Sequence, residues 1–312
     1  MNKKDKVYIA GQEGMVGQAV YKLLKEKNYK IISCKRDDLD LTNQQDVNLW
    51  FKKKKPQVVI NAAGRVGGIL DNSKFQTDYI YINTMIGFNI LNASVENNVK
   101  KLINLGSACI YPRNSKQPIT EGDLLTSQLE PTNEGYATAK IASLKYCEHI
   151  NKKLKKQFIS LQPANLYGYG DNFDLKSSHV IPALLRKFHN AKVKNISNVE
   201  VWGTGTVMRE FLNVEDLAHA IHFCLRKKIK DPYLNVGSTD YLTIKELATM
   251  IKKVTEFKGT ITFNKKYPDG VKRRKLSTKI LDKLGWRSKI SLEAGLINYY
   301  DYFRSKIYSK KN

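Results

Sequence analysis

The chain has 312 residues, 42% hydrophobic and 26% charged, ordinary proportions for a globular protein with one substantial core and a smaller lobe. Its formal charge of +24 raises the question of nucleic-acid binding, but the lysines are dispersed, with short runs at 52–55 and 152–156. No finger spacing or aromatic-basic motif accompanies them, so they read as a solvated surface that also attracts anionic substrates, without a dedicated nucleic-acid partner.

No N-terminal apolar segment and no long apolar run is present, so neither secretion nor membrane insertion is expected. Cys34, Cys109, Cys147 and Cys224 lack ligand spacing and read as reduced thiols of a cytoplasmic protein, with no metal site.

In chain order, 6–11 reads as a buried strand breaking into glycines, and 15–27 as a helix. A strand over 29–36, a helix over 43–54 and a strand over 56–64 follow. A helix over 83–98 leads to a strand over 101–107, and Tyr136 opens a helix over 136–153. The strand over 157–168 ends in a loop suited to a site. This alternation predicts an α/β fold: a Rossmann-like, doubly wound parallel sheet with ligands at the carboxyl ends of its strands.

Beyond about residue 170 the regularity weakens. Helices are expected over 177–191, 213–228 and 243–257, the last capped by Thr243 with Glu246 in the capping-box position. A short strand and turn fall at 199–205, and 261–266, 268–275 and 291–304 fit a smaller mixed α/β C-terminal substrate lobe. The expected division is 1–170 mainly for a dinucleotide and 171–312 mainly for substrate, with 207–240 returning to the core.

Gly11, Gly14 and Gly17, with Met15 and Val16 among them, lie between a strand and a helix. Such a loop lets a pyrophosphate approach the backbone and the helix N-terminus. Arg36 stands where a nucleotide ribose is read and suits the extra phosphate of NADP, although a surface arginine beside Asp37 and Asp38 is the plainer alternative. Asp40 and Leu41 can flank an adenine, and Ala63 lies in a small-residue turn that admits a cofactor. Tyr136 and Lys140 share a helix face one turn apart, so a lysine charge can hold the phenol acidic.

With the segments 14–17, 61–69, 107–112, 130–140, 165–168, 171–173, 178–189, 201–218, 268–270 and 284–286, the chain resembles the extended short-chain dehydrogenase/reductase family, in its GDP-L-fucose-forming branch. The resemblance spans nearly the whole chain. It implies epimerisation of GDP-4-keto-6-deoxy-D-mannose at C3 and C5, then reduction at C4 with NADPH, in a homodimer joined through 86–98 and the helix of Tyr136.

It assigns Ser107 and Tyr136 to the C4 oxygen, Lys140 to proton relay, Cys109 as base and His179 as acid. It implies cofactor contacts at Pro163, Asn165, Leu166 and His179, and substrate contacts at Ala108, Asn165, Val180, Leu184, Lys187, Trp202, Arg209 and Arg274. For Trp202 a core role is an equal alternative; for Arg209 the alternative is an ion pair with Glu210 or Glu215.

The chain departs from the family pattern at Gln12 and Glu13, where a histidine and a basic residue are usual. It also departs at Ala108 for serine, Gly135 for proline and Ser277 for aspartate. The competing functions are a GDP-6-deoxy-sugar or GDP-6-deoxy-heptose C4 reductase without productive epimerisation, an epimerase or dehydratase that keeps its cofactor, and a silent NADP-binding protein.

Overall fold

The computed structural model describes residues 1–175 and 177–308, with side chains described as far as residue 305. Its first half runs β1 (Lys6–Ala10), α1 (Met15–Glu26), β2 (Lys30–Ile32), α2 (Gln44–Lys54), β3 (Val58–Asn61), α3 (Ile69–Lys74), α4 (Gln76–Glu96), β4 (Lys101–Leu105), α5 (Glu134–Leu154) and β5 (Gln157–Pro163). There follow β6 (Asn165–Tyr167), α6 (Val180–Val193), β7 (Asn198–Trp202), β8 (Met208–Asn213), α7 (Val214–Arg226) and β9 (Tyr233–Val236). The chain closes with β10 (Tyr241–Thr243), α8 (Ile244–Thr255), β11 (Thr260–Asn264), β12 (Arg273–Arg274), α9 (Lys279–Leu284) and α10 (Leu292–Tyr302).

Six parallel strands form the main sheet in the order β2-β1-β3-β4-β5-β9. Alternation along β1 sends Val7 and Ile9 into the cluster under α1 and α7, and Tyr8 and Ala10 into the cluster under α2, α4 and α5. Both faces are therefore buried, as a doubly wound sheet requires. A second sheet, β10-β8-β12 with β6 on β8, and the parallel pair β11-β7 build the smaller lobe around α6, α8 and α10.

Three readings of the sequence change. The strand expected over 157–168 breaks at Ala164: β5 stays in the main sheet while β6 pairs with β8 in the second. The break falls after Pro163, which has no N–H for a ladder. The strand expected over 29–36 is paired only through Ile32, so Arg36 opens a separate 3₁₀ turn instead of ending the strand. β8 and β9 were not expected as strands. Thr243 and Glu246 form the expected capping box at the start of α8.

Candidate active site

The glycine loop is shaped by absent side chains. Gly11 has φ +76°, and a Cβ there would lie 2.7 Å from the Ala63 Cα; one on Gly17 would lie 2.1 Å from the Gly11 carbonyl oxygen. Gly14 caps α1 without a side-chain bond, and no acidic residue stands in the first turn at Met15 and Val16. A small-residue cradle at an uncapped helix N-terminus fits a dinucleotide pyrophosphate. Nearby, Glu13 Oε2 accepts from the Arg36 backbone N–H at 3.1 Å, and the Arg36 side chain is exposed.

Asp40 and Leu41 are used locally. The Asp40 carboxylate accepts from the Thr42 N–H and hydroxyl, which hold it below the usual carboxylate range. The Leu41 carbonyl accepts from Asn89 Nδ2, and its side chain packs on the core. Ala63 donates its N–H to Asn61 Oδ1 at 3.3 Å. At the end of that loop a Cβ on Gly64 would lie 3.5 Å from Lys140 Nζ.

The chemistry gathers where β4 ends and α5 begins. Ser107 follows β4; its N–H donates to Gln162 Oε1 at 2.9 Å and its Oγ accepts from the Cys109 N–H at 3.2 Å. The Tyr136 phenol lies beside Ser107 and Cys109. Burial raises the phenol above its ordinary range, the neighbouring Cys109 adds to this, and Ser107 opposes it. Lys140 is 8% exposed, lies 5.7 Å from the Tyr136 ring centroid and donates to the Leu105 carbonyl at 2.9 Å. Burial pushes its ammonium down to about 8.

The expected acidic tyrosine is therefore corrected. Desolvation raises the phenol, which favours the protonated form that donates.

Gly135 replaces a usual proline for a visible reason. Its N–H donates to Gln76 Oε1 at 3.0 Å, which proline lacks, and a Cβ there would meet the Gln76 carbonyl oxygen at 2.5 Å. Asn133, one turn before Tyr136, donates from Nδ2 to Cys109 Sγ at 3.4 Å. Sequence reasoning missed Asn133, because an asparagine before a helix reads simply as a cap.

Two arginines of the second sheet, one half-buried and one buried, sit beside the site. Arg274 is 6% exposed; Nη1 donates to the Ala108 carbonyl at 3.0 Å and Nη2 has no partner. Arg209 donates to the Met208 and Asp269 carbonyls at 2.9 and 3.0 Å. Burial and the charge of Arg274 push Arg209 down to about 10. Neither expected acidic partner pairs with it: Glu210 accepts from the Leu276 and Ser238 N–H groups, and Glu215 pairs with Lys22. Two adjacent guanidiniums with a spare donor and no carboxylate fit a diphosphate.

The remaining residues divide. His179 is the uncapped N-cap residue of α6. The residue is exposed by accessible surface, yet the protein atoms around its ring desolvate the imidazole and lower it toward the neutral form. The Gly68 N–H donates to the Ser177 carbonyl, bringing the loop after β3 against the His179 loop.

Asn165 spends Nδ2 on the Glu210 carbonyl at 2.9 Å, Pro163 is buried in β5 and Leu166 packs on the main core. Val180 packs against the lobe core, and Leu184, 3% exposed, lies within it. Lys187 sits 4.9 Å over the Trp202 ring, whose 38% exposed indole stacks on Tyr267 at 4.2 Å. Trp202 is thus a surface platform, and Tyr267 is a member that the sequence did not flag.

The family model described as "NAD dependent epimerase/dehydratase family" matches residues 7–237. The chain belongs to this family. As a member of the NAD dependent epimerase/dehydratase family it is an NAD(P)-dependent enzyme. The chain is 45% identical over 302 residues to a GDP-L-fucose synthase of Sinorhizobium fredii, covering 97% of this chain and 96% of that one.

Among solved structures of the same fold, a GDP-6-OMe-4-keto-L-xylo-heptose reductase from C. jejuni superposes with a TM-score of 0.92 at 35% identity, covering 100% of this chain and 99% of the other. A GDP-D-glycero-L-gluco-heptose synthase from Campylobacter jejuni, solved in the presence of NADPH, gives 0.91 at 34%, covering 98% and 100%. Among the described residues no helix is long and apolar enough to cross a membrane.

Proposed function

We propose that this family member converts GDP-4-keto-6-deoxy-D-mannose to GDP-L-fucose by epimerising C3 and C5 and reducing C4 with NADPH. The observation that carries the reading is the convergence of Ser107, Cys109 and Tyr136 with the half-buried Arg209 and the buried Arg274, the latter holding the catalytic loop through the Ala108 carbonyl. Likeness to the Sinorhizobium synthase supports the substrate, and the neighbour solved with NADPH supports the cofactor.

The Cys109 thiolate takes a proton from the carbon beside the ketone, leaving the electron pair on the sugar as an enolate. His179 returns a proton from the other face. Ser107 and Tyr136 donate to the C4 oxygen as its charge grows, and Tyr136 finally protonates it. NADPH, when bound, supplies the hydride for C4. The Gly11–Gly17 loop and Lys140 hold that cofactor, Arg209 and Arg274 hold the diphosphate, and Trp202 with Lys187 lines the nucleoside end.

The segment 1–170 thus mainly serves the dinucleotide and 171–312 the GDP-sugar, with β9 returning to the main sheet. A homodimer through α4 and α5 is part of the reading, supported by the exposed Ile80, Tyr81 and Phe88 on α4. A cytoplasmic location belongs to the same reading, supported by the four free cysteines.

The test combines GDP-4-keto-6-deoxy-D-mannose and NADPH in heavy water. NADPH loss with deuterium at both C3 and C5 is expected. NADPH loss without label favours the second reading, a GDP-sugar C4 reductase like the C. jejuni heptose enzyme whose fold this chain shares.

A further inference from the structure

Asn133 stands at the N-cap of α5, where asparagine ordinarily accepts a bond from a first-turn N–H. Here its side chain makes no cap bond. Its Nδ2 donates instead to Cys109 Sγ at 3.4 Å, while Gln76 Oε1 from α4 serves the Gly135 N–H in the first turn. The helix therefore forgoes its own cap and turns an amide toward the cysteine of the cleft. The Asn133 backbone N–H is tied to the Glu130 carbonyl at 3.1 Å, which holds the side chain's starting point.

An N–H donor stabilises a sulfur most when the sulfur is an anion, because bonds to ionised acceptors are roughly twice as strong as neutral ones. Around Cys109, Tyr136 from α5 lies against Ser107, Arg209 from β8 donates to two carbonyls, and Arg274 from β12 gives Nη1 to the Ala108 carbonyl and keeps Nη2 spare. Among the described residues, Asn133 Nδ2 is the hydrogen-bond donor to Sγ.

We propose that Asn133 is a positioning residue for the epimerisation base, its side-chain amide holding Cys109 in the thiolate form and fixing Sγ in the cleft. The inference rests on the reading of Cys109 as that base. The step it serves is balanced within the enzyme and the sugar: the thiolate gains a proton from C3 or C5 and becomes a thiol, and the carbon's electron pair enters the enolate.

The labelling arm of the test needs no substrate. Full-length wild type, Asn133→Ala, Asn133→Asp and Asn133→Ser are alkylated with iodoacetamide across a pH series, and labelling of the Cys109 peptide is followed by mass spectrometry. Circular dichroism and thermal melting check the fold. In Asn133→Ala the half-maximal pH should rise by about one unit and neutral-pH labelling should slow roughly tenfold. Asn133→Asp should rise further, since a carboxylate repels the thiolate. Asn133→Ser keeps a hydroxyl donor and should fall between wild type and alanine.

Unchanged profiles for alanine and aspartate overturn the proposal. If the alanine variant does not fold, the near-isosteric aspartate decides alone, a raised profile supporting and an unchanged one overturning. Deuterium exchange by wild type is read in parallel. Shifted profiles with no exchange at C3 or C5 overturn the epimerase reading while supporting the thiolate contact.

Discussion

Arg274 Nη1 donates to the Ala108 carbonyl across 3.0 Å, joining residues 166 positions apart. This bond ties the second sheet to the catalytic loop between Ser107 and Cys109. On the proposed function, the guanidinium that would take the diphosphate also fixes the loop that carries Cys109, so binding and chemistry would share one side chain.

Arg274→Lys is expected to raise KM for the GDP-sugar by roughly tenfold to a hundredfold, because an ammonium cannot reproduce the two-pronged donor. Steady-state NADPH loss at varied GDP-sugar measures it. An unchanged KM removes Arg274 from the diphosphate site.

Tyr136→Phe should lower C4 reduction by about two to four orders of magnitude, the usual worth of a positioned proton donor. Exchange at C3 and C5 should fall less, because Ser107 still donates to the C4 oxygen. Following NADPH loss and deuterium uptake in one sample separates the steps; equal losses contradict this division of labour.

Glu13 Oε2 holds the Arg36 N–H, so its carboxylate sits beside the arginine read as the partner of the 2′-phosphate. Glu13→Gln should tighten NADPH binding roughly threefold to tenfold, with NADH little changed, since one negative charge is removed near another. Fluorescence titration of both cofactors checks it. Equal shifts for both place Glu13 away from the 2′-phosphate.

Burial lowers Lys140 from 10.5 to about 8. The folded state thus binds fewer protons than the unfolded state between these values, and stability rises with pH across that window. Below about 8 the desolvation cost is present in full; above 10.5 it has been relieved. Relative to Lys140→Met, wild type should gain up to about 3 kcal/mol from pH 8 to pH 10.5. Denaturant melts at several pH values test the slope, and parallel curves for the two proteins contradict it.

Much of this arrangement was legible in the sequence. Alternating strands and helices, glycines between the first pair, and Tyr136 four residues from Lys140 are local patterns whose periodicity carries structure. β9 was missed because a four-residue strand has too little length for its pattern to stand out, and its place at the sheet edge depends on β5. Asn133 and Tyr267 were missed because their partners, Cys109 and Trp202, are remote in sequence. Leu184 was placed at the substrate by resemblance, yet its side chain fills the lobe core.

By itself the sequence determined the kind of fold and pointed to the cofactor loop and the candidate reacting groups, because these depend on short-range spacing and residue chemistry. Tertiary structure decided their charge states and alliances. Burial keeps Tyr136 protonated and draws Lys140 down, against the acidic phenol expected from their spacing. It also leaves Arg209 and Arg274 without carboxylate partners and turns Asn133 from its cap to a sulfur. Desolvation and the choice among hydrogen-bond partners arise only when distant segments are packed together.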